Sequence, residues 1–145
     1  MKFCRINLSN TQYQILPNAK IISVVGRHRY IGQLKEIYTN YCRYKKFESV
    51  MPLFDTVIFD PYVDVIGYHQ NDELIAFSLV KKYDSYNVES LQFAWDYKQP
   101  NLKLGIASIK HECAYYKHHS YKYLYLGLAD KYKEQFDGYE ILGPA

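Results

Sequence analysis

The sequence predicts an α/β (α+β) fold built on one mixed sheet, in which an antiparallel meander is followed by a parallel βαβ crossover. Three observations predict it. Two strand-like runs flank Asn71-Asp72 in "YVDVIGYHQNDELIAFSLVKKY", and that pair of turn residues closes a hairpin. A third strand, "YNVESLQFAWDY" (86–97), follows directly and alternates Glu89, Leu91, Phe93 and Trp95 against Val88, Ser90, Gln92 and Ala94. A helical stripe of Ile106, Ile109, Cys113 and Tyr116 then leads into another alternating run, "KYLYLGL" (122–128). Strand, helix and strand in that order make a crossover, which forces the two strands to run parallel.

The remaining elements fit around this frame. "KIISVV" (20–25) is a β-branched run that reads as a first strand ending at Gly26. From Tyr30 to Phe47, Ile31, Leu34, Ile37, Tyr38 and Tyr41 recur at spacings of three and four, the apolar face of a helix. After the crossover a short polar segment, "ADKYKEQF", precedes "YEIL" (139–142), a closing strand. There is no repeat, low-complexity tract or linker, and 145 residues, 48% hydrophobic, suit a single domain over residues 1–145.

Charge and cysteine content narrow the function classes. A net charge of +3 permits nucleic acid but lacks the large, concentrated excess of a dedicated binder. Cys4, Cys42 and Cys113 are odd in number and widely spaced, with no CxxC pair, so they read as reduced thiols of a cytoplasmic protein. The start, "MKFCRINLSN", has no apolar signal core, and no stretch approaches the ~20 apolar residues a bilayer needs. The 17 tyrosines, many beside lysines, fit half-buried strand positions with a polar tip; interleaved aromatics and cations can also stack bases and hold phosphates.

The junction "DYKQPNLKLGIAS" (96–108) is the place where a ligand is expected, because a loop entering a helix presents unpaired amides to an anion. Gly105 lets a backbone approach closely. The order of elements resembles the GCN5-related N-acetyltransferase (GNAT) fold, whose pyrophosphate loop reads [QR]-x-x-G-x-[GA] here. Leu102-Lys103-Leu104-Gly105-Ile106-Ala107 matches its last half and departs from it at Leu102. A closer resemblance, over residues 34 to 142, is to the catalytic C-terminal half of arginyl-tRNA–protein transferases. It rests on Phe93, Trp95, Asp96, Leu104, Gly105, Ser108 and Glu112, then Tyr125-Leu126-Gly127, then "YKEQFDGYEIL" from Tyr132. Phe136, Gly138 and Ile141 replace that family's Tyr, Pro and Leu, and its cysteine-rich N-terminal region has no counterpart in this sequence.

Acyl transfer to an amine needs a polarised carbonyl, a deprotonated amine and a protonated leaving group. Backbone amides near Phe93 to Trp95 supply the first. Glu89, on the strand face expected to hold Leu91, Phe93 and Trp95, is the candidate general base, since apolar surroundings raise a carboxyl pKa. Both resemblances imply Tyr132 as the acid that protonates the leaving group. They also imply that Phe93, Trp95, Leu104, Gly105, Ile106, Ala107 and Ser108 bind the donor, acyl-CoA such as acetyl-CoA, with no metal. The acceptor is then a small-molecule or protein amine. The alternatives are an aminoacyl-tRNA donor of the arginyl or leucyl type, with tRNA as partner, and a non-catalytic binding module on the same fold.

Other candidates point to structure. "HECAY" begins like the zinc motif HExxH, but Tyr115 stands at the second ligand position. His118 and His119 fall at a helix C-terminus, where cations suit the dipole, and Cys113 has core spacing. Arg27-His28-Arg29 and Arg43-Tyr44-Lys45-Lys46 read as solvated faces able to meet donor or RNA phosphates.

Overall fold

The computed structural model describes residues 2–47, 52–98 and 103–143. Its first strand, β1 (Phe3–Asn7), precedes anything the hydrophobic pattern suggests, because "FCRIN" turns only Cys4 and Ile6 inward. β2 (Ala19–Ile22) is shorter than the β-branched run implied. The Ser23 hydroxyl accepts the Gly26 amide at 3.0 Å and caps α1 (Val24–Arg29), so Val24 and Val25 begin a helix instead of extending the strand. α2 (Ile31–Lys45) buries Leu34, Ile37, Tyr38 and Cys42 and ends where Lys46 turns left-handed at φ 59. β3 (Val63–Gln70) and β4 (Glu73–Lys82) form the expected hairpin, with Asn71 and Asp72 at φ 51 and 65, as a type I′ turn requires. β5 (Asn87–Trp95), α3 (Leu104–His118) and β6 (Tyr123–Leu128) form the crossover, and a 3-10 turn (Lys131–Gln135) leads into β7 (Tyr139–Leu142).

The seven strands lie in the order β2-β3-β4-β5-β6-β1-β7. Every neighbouring pair is antiparallel except β5 and β6, the parallel pair that the crossover dictates. Each face of the sheet buries its own core. On one, α3 packs Ile109, Cys113 and Tyr116 against Ile6, Tyr68, Val88 and Leu124. On the other, α2 packs Leu34, Ile37 and Tyr38 against Val65, Phe77 and Leu79. The fold is the mixed α/β arrangement expected, with β1 as an added strand that ties the C-terminal half together.

Two sequence expectations are corrected. Arg27 is not part of a solvated face: it is buried, and its guanidinium donates to the carbonyls of Ile58, Asp60 and Val63, the last at 2.7 Å. It clamps the segment entering β3, and burial pulls its pKa down against the pull of Asp64 and Asp60. The single face expected for Glu89, Leu91, Phe93 and Trp95 is broken by a bulge. Leu79 pairs with Gln92 but Val80 with Ser90, which leaves Leu91 without an opposite number. An extra residue reverses the side-chain alternation. Val88 therefore shares the α3 face with Phe93 and Trp95, while Glu89 points to the other side.

Gly138 marks a close backbone approach between β7 and β1. It sits at φ +77, its carbonyl accepts the Asn7 amide at 2.8 Å, and a Cβ there would lie 2.4 Å from the Asn7 carbonyl oxygen. Gly138→Ala therefore has to part β7 from β1. Urea denaturation should show a loss of more than about 1 kcal/mol, whereas Gly32→Ala, in open space on α2, should be neutral or stabilising.

Candidate active site in the cleft between β5 and β6

The parallel pair is short. β5 and β6 bond only at Asn87 with Tyr123, Val88 with Leu124, and Glu89 with Tyr125. Beyond that point each strand has an irregularity. Leu91 is the extra residue of β5, and on β6 the pairing with β1 jumps from Tyr125 to Gly127, passing over Leu126. Gly127 takes φ +77, the left-handed conformation that such a bend favours. Bulges bend the strands that contain them, so β5 and β6 diverge and open a cleft of about 550 Å³. Among the described residues no strand covers the β6-facing edge of β5 from Ser90 onward, which leaves backbone amides and carbonyls facing the cavity.

Most of the anticipated residues meet here. Phe93 and Trp95 line one wall, Gly105, Ile106 and Ser108 the helix end, and Tyr132 the opposite rim. Among the described residues the amides of Leu104, Gly105 and Ile106 have no acceptor: helix geometry gives them none within α3, and Lys103, its N-cap, makes no side-chain bond. A Cβ on Gly105 would meet nothing within 4 Å, so space and not packing surrounds it. Ser108 closes the turn by donating to the Gly105 carbonyl at 2.8 Å. Leu104 points into the core, and Ala107 is outside the lining, its amide bonded to the Lys103 carbonyl at 3.3 Å. Leu102, the departure from the GNAT loop pattern, lies outside the described residues. Glu89 does not reach the cleft; on the far face its carboxylate accepts the Tyr83 hydroxyl at 2.5 Å.

Tyr132 is half exposed on the 3-10 turn, and Lys133 fixes that turn. The Lys133 ammonium donates to the carbonyls of Leu126 at 2.9 Å and Leu128 at 2.7 Å and pairs with Asp130 at 3.1 Å. Burial, and then Asp130, push the Tyr132 phenol up, and burial beside Tyr97 and Tyr132 pushes Tyr41 on the α2 side up to about 12. Both phenols keep their protons at neutral pH and can donate them. Lys45 and Lys103 add positive charge to the lining.

Glu112, one of the motif residues of the sequence, was assigned no role there. It is fully buried behind Ser90, and Ser78 Oγ donates to its Oε2 at 3.1 Å while the Tyr68 hydroxyl bonds Ser78 at 3.0 Å. Ser90, a cleft-lining residue, lies against this carboxyl and favours its charged form, while Oε1 has no hydrogen-bond partner among the described residues. Burial pushes Glu112 up to about 7. Besides that motif, the available signal was its place as the sole acid in "LGIASIKHECAYYKH", one position off the apolar stripe. The structural assignments next to it hold. Burial lowers His111 to about 4 and its Nδ1 accepts the Leu16 amide at 3.0 Å, while Cys113 is buried with its thiol pushed up. His119 Nδ1 meets the Tyr115 carbonyl at the end of α3. Among the described residues no group of three His, Cys, Asp or Glu side chains is placed to hold a metal, and no helix is long and apolar enough to cross a membrane.

No protein-family model matches the sequence, and no curated protein sequence matches it. Solved structures do. The C-terminal domain of a putative lysylphosphatidylglycerol synthetase from Agrobacterium fabrum superposes with a TM-score of 0.65 at 8% identity, over 88% of this chain and 46% of that one. A GCN5-related N-acetyltransferase from Kribbella flavida gives 0.60 at 12% identity, over 99% of this chain and 58% of that one. A probable N-acyltransferase from Enterococcus faecalis gives 0.50 at 10% identity, over 97% and 38%. The chain thus spans between 38% and 58% of the length of these neighbours. At such identities the likeness is one of fold, and the fold is that of GNAT-like acyltransferases.

Glu112 and His111 give opposite pH signatures. The folded state holds the Glu112 proton more tightly than the unfolded chain, so this group's contribution to stability falls as pH rises from 4.5 to about 7. His111 is held neutral, so its contribution rises from about pH 4 to 6.5. The wild-type profile mixes the two. In urea titrations, Glu112→Gln should therefore gain on wild type with rising pH, by on the order of 3 kcal/mol between about pH 4 and 8; a pH-independent difference would contradict the assignment.

Proposed function

We propose that the chain is an N-acyltransferase that moves an acyl group from acyl-CoA to a primary amine in the β5–β6 cleft. The observation that supports it most is the uncovered β5 edge leading to the open first turn of α3. An extended donor arm with amides suits such an edge as an added strand does, and a pyrophosphate suits free helix amides with Lys103 and Lys45 nearby. Bound there, acyl-CoA supplies an activated thioester carbonyl. Phe93 and Trp95 wall the acyl end, and a free β5 amide near them donates to the negative charge building on the carbonyl oxygen. Tyr132 protonates the departing sulfur, a role suited to a phenol whose raised pKa keeps it protonated. Gly105, Ile106 and Ser108 hold the phosphate end; Leu104 and Ala107 contribute backbone only.

An aminoacyl-tRNA donor is the second reading. Exposed Arg43, Lys45 and Lys46 end α2 beside the cleft, the arginyltransferase-like motifs span it, and one structural neighbour is named for a product bearing a lysyl group. This donor requires binding that weakens steeply with salt.

Calorimetry with acetyl-CoA distinguishes the two. Wild type should bind it, and Gly105→Asp, which sets a charge and a side chain against the pyrophosphate, should abolish binding without unfolding. Tyr132→Phe should bind it normally yet turn over about 10²-fold more slowly. No acetyl-CoA binding, together with salt-sensitive retention of charged tRNA on filters that is lost on substituting Arg43, Lys45 and Lys46, would replace the first reading with the second.

A further inference from the structure

We propose that Glu112 is the proton acceptor of this reaction, taking the amine's proton from the cleft through the hydroxyl of Ser90. The inference rests on the acyltransferase reading. It starts from an oddity of burial: a carboxyl with no exposed surface, one oxygen accepting the Ser78 hydroxyl and the other without a partner among the described residues. A buried carboxyl left half-satisfied is costly, and packing alone would be better served by an apolar residue or an amide. Ser90 gives it a polar route outward, since this hydroxyl both acts on the Glu112 carboxyl and lines the cleft.

The neighbours keep this carboxyl free to take up and release a proton. β3 presents Tyr68, β4 Ser78 and β5 Ser90; Cys113 and Tyr116 flank it on α3, and Tyr132 lies across the cleft. None is cationic. Lys133 is held by the Leu126 and Leu128 carbonyls and Asp130, and Lys82 pairs with Asp64, which also accepts the Tyr116 hydroxyl. With no positive charge to pin it as an anion, the carboxyl has a proton affinity near neutrality, which suits a base.

The proton count closes. An alkylammonium acceptor gives one proton to the Ser90 oxygen as Ser90 passes its own to Glu112, so the serine is regenerated and the amine is free. The amine nitrogen forms a bond to the acyl carbon and the carbon–sulfur bond breaks. Sulfur takes the Tyr132 proton, and Tyr132 is refilled by the second proton of the amine. Glu112 returns its proton to water through Ser90. The products are an amide, a thiol and one released proton.

The test compares two generic acceptors with acetyl-CoA as donor. Methylamine is protonated at neutral pH and needs a base; hydroxylamine is largely unprotonated and does not. Glu112→Gln and Ser90→Ala should each slow transfer to methylamine by about 10²-fold and leave transfer to hydroxylamine and acetyl-CoA binding nearly unchanged. Equal slowing with both amines, or none with either, overturns the inference while leaving the acyltransferase reading intact. An infrared titration of the donor-free protein gives a readout independent of turnover. The protonated carboxyl band assigned by its loss in Glu112→Gln should fade near neutral pH, and a band that persists to about pH 9 overturns the inference. Failure of wild type to bind acetyl-CoA at all would overturn both.

Discussion

The structure depends on one constraint: β5 and β6 must begin as a bonded parallel pair and then part. The crossover helix α3 brings them together, since a parallel connection has to pass over the sheet. Extra residues at Leu91 and Leu126 separate them after three paired positions. A sheet that stayed closed there would bury the β5 edge, cover the first turn of α3 and leave no room between Phe93 and Tyr132. The cleft is thus a consequence of strand register, with the helix end and the aromatic walls arranged around the opening.

Buried polar groups hold that opening in shape. Lys133 ties the turn bearing Tyr132 to the two β6 carbonyls that flank Gly127, so the rim cannot drift from the bend that forms it. Tyr68, Ser78 and Glu112 run beneath the floor from β3 through β4 to α3, and Ser90 lies against the same carboxyl from β5. On the other face Arg27 fastens the segment entering β3. Lys133 and Arg27 give up solvation and recover it in several directed bonds, so each fixes geometry more than it adds stability, whereas Glu112 keeps one oxygen unpartnered among the described residues.

What the sequence disclosed follows from which forces are local. The Asn71-Asp72 turn, the α2 stripe and the crossover depend on neighbours a few residues apart, and all are present as read. Phe93, Trp95, Gly105, Ser108 and Tyr132 come from β5, α3 and the 3-10 turn and line one cleft, a convergence set by the sheet and not by local spacing. β1 was hidden because its two inward residues gain meaning only between β6 and β7. Val24 and Val25 have strand propensity, but the Ser23 cap outweighed it. The Leu91 bulge left no trace in composition, yet it turned Glu89 away and set Ser90 toward Glu112. A partner 22 positions distant on another element cannot be seen in a periodicity.

The claim that the parted edge of β5 receives an acyl-CoA donor is tested most directly by amide hydrogen exchange on the protein with and without acetyl-CoA. A donor lying along that edge with its pyrophosphate on α3 should protect the β5 amides from Leu91 to Trp95 and those of Gly105 and Ile106, leaving the β3–β4 hairpin unchanged. Exchange that is unaltered at these amides under saturating acetyl-CoA, or protection confined to the exposed face beyond Glu89, would contradict it.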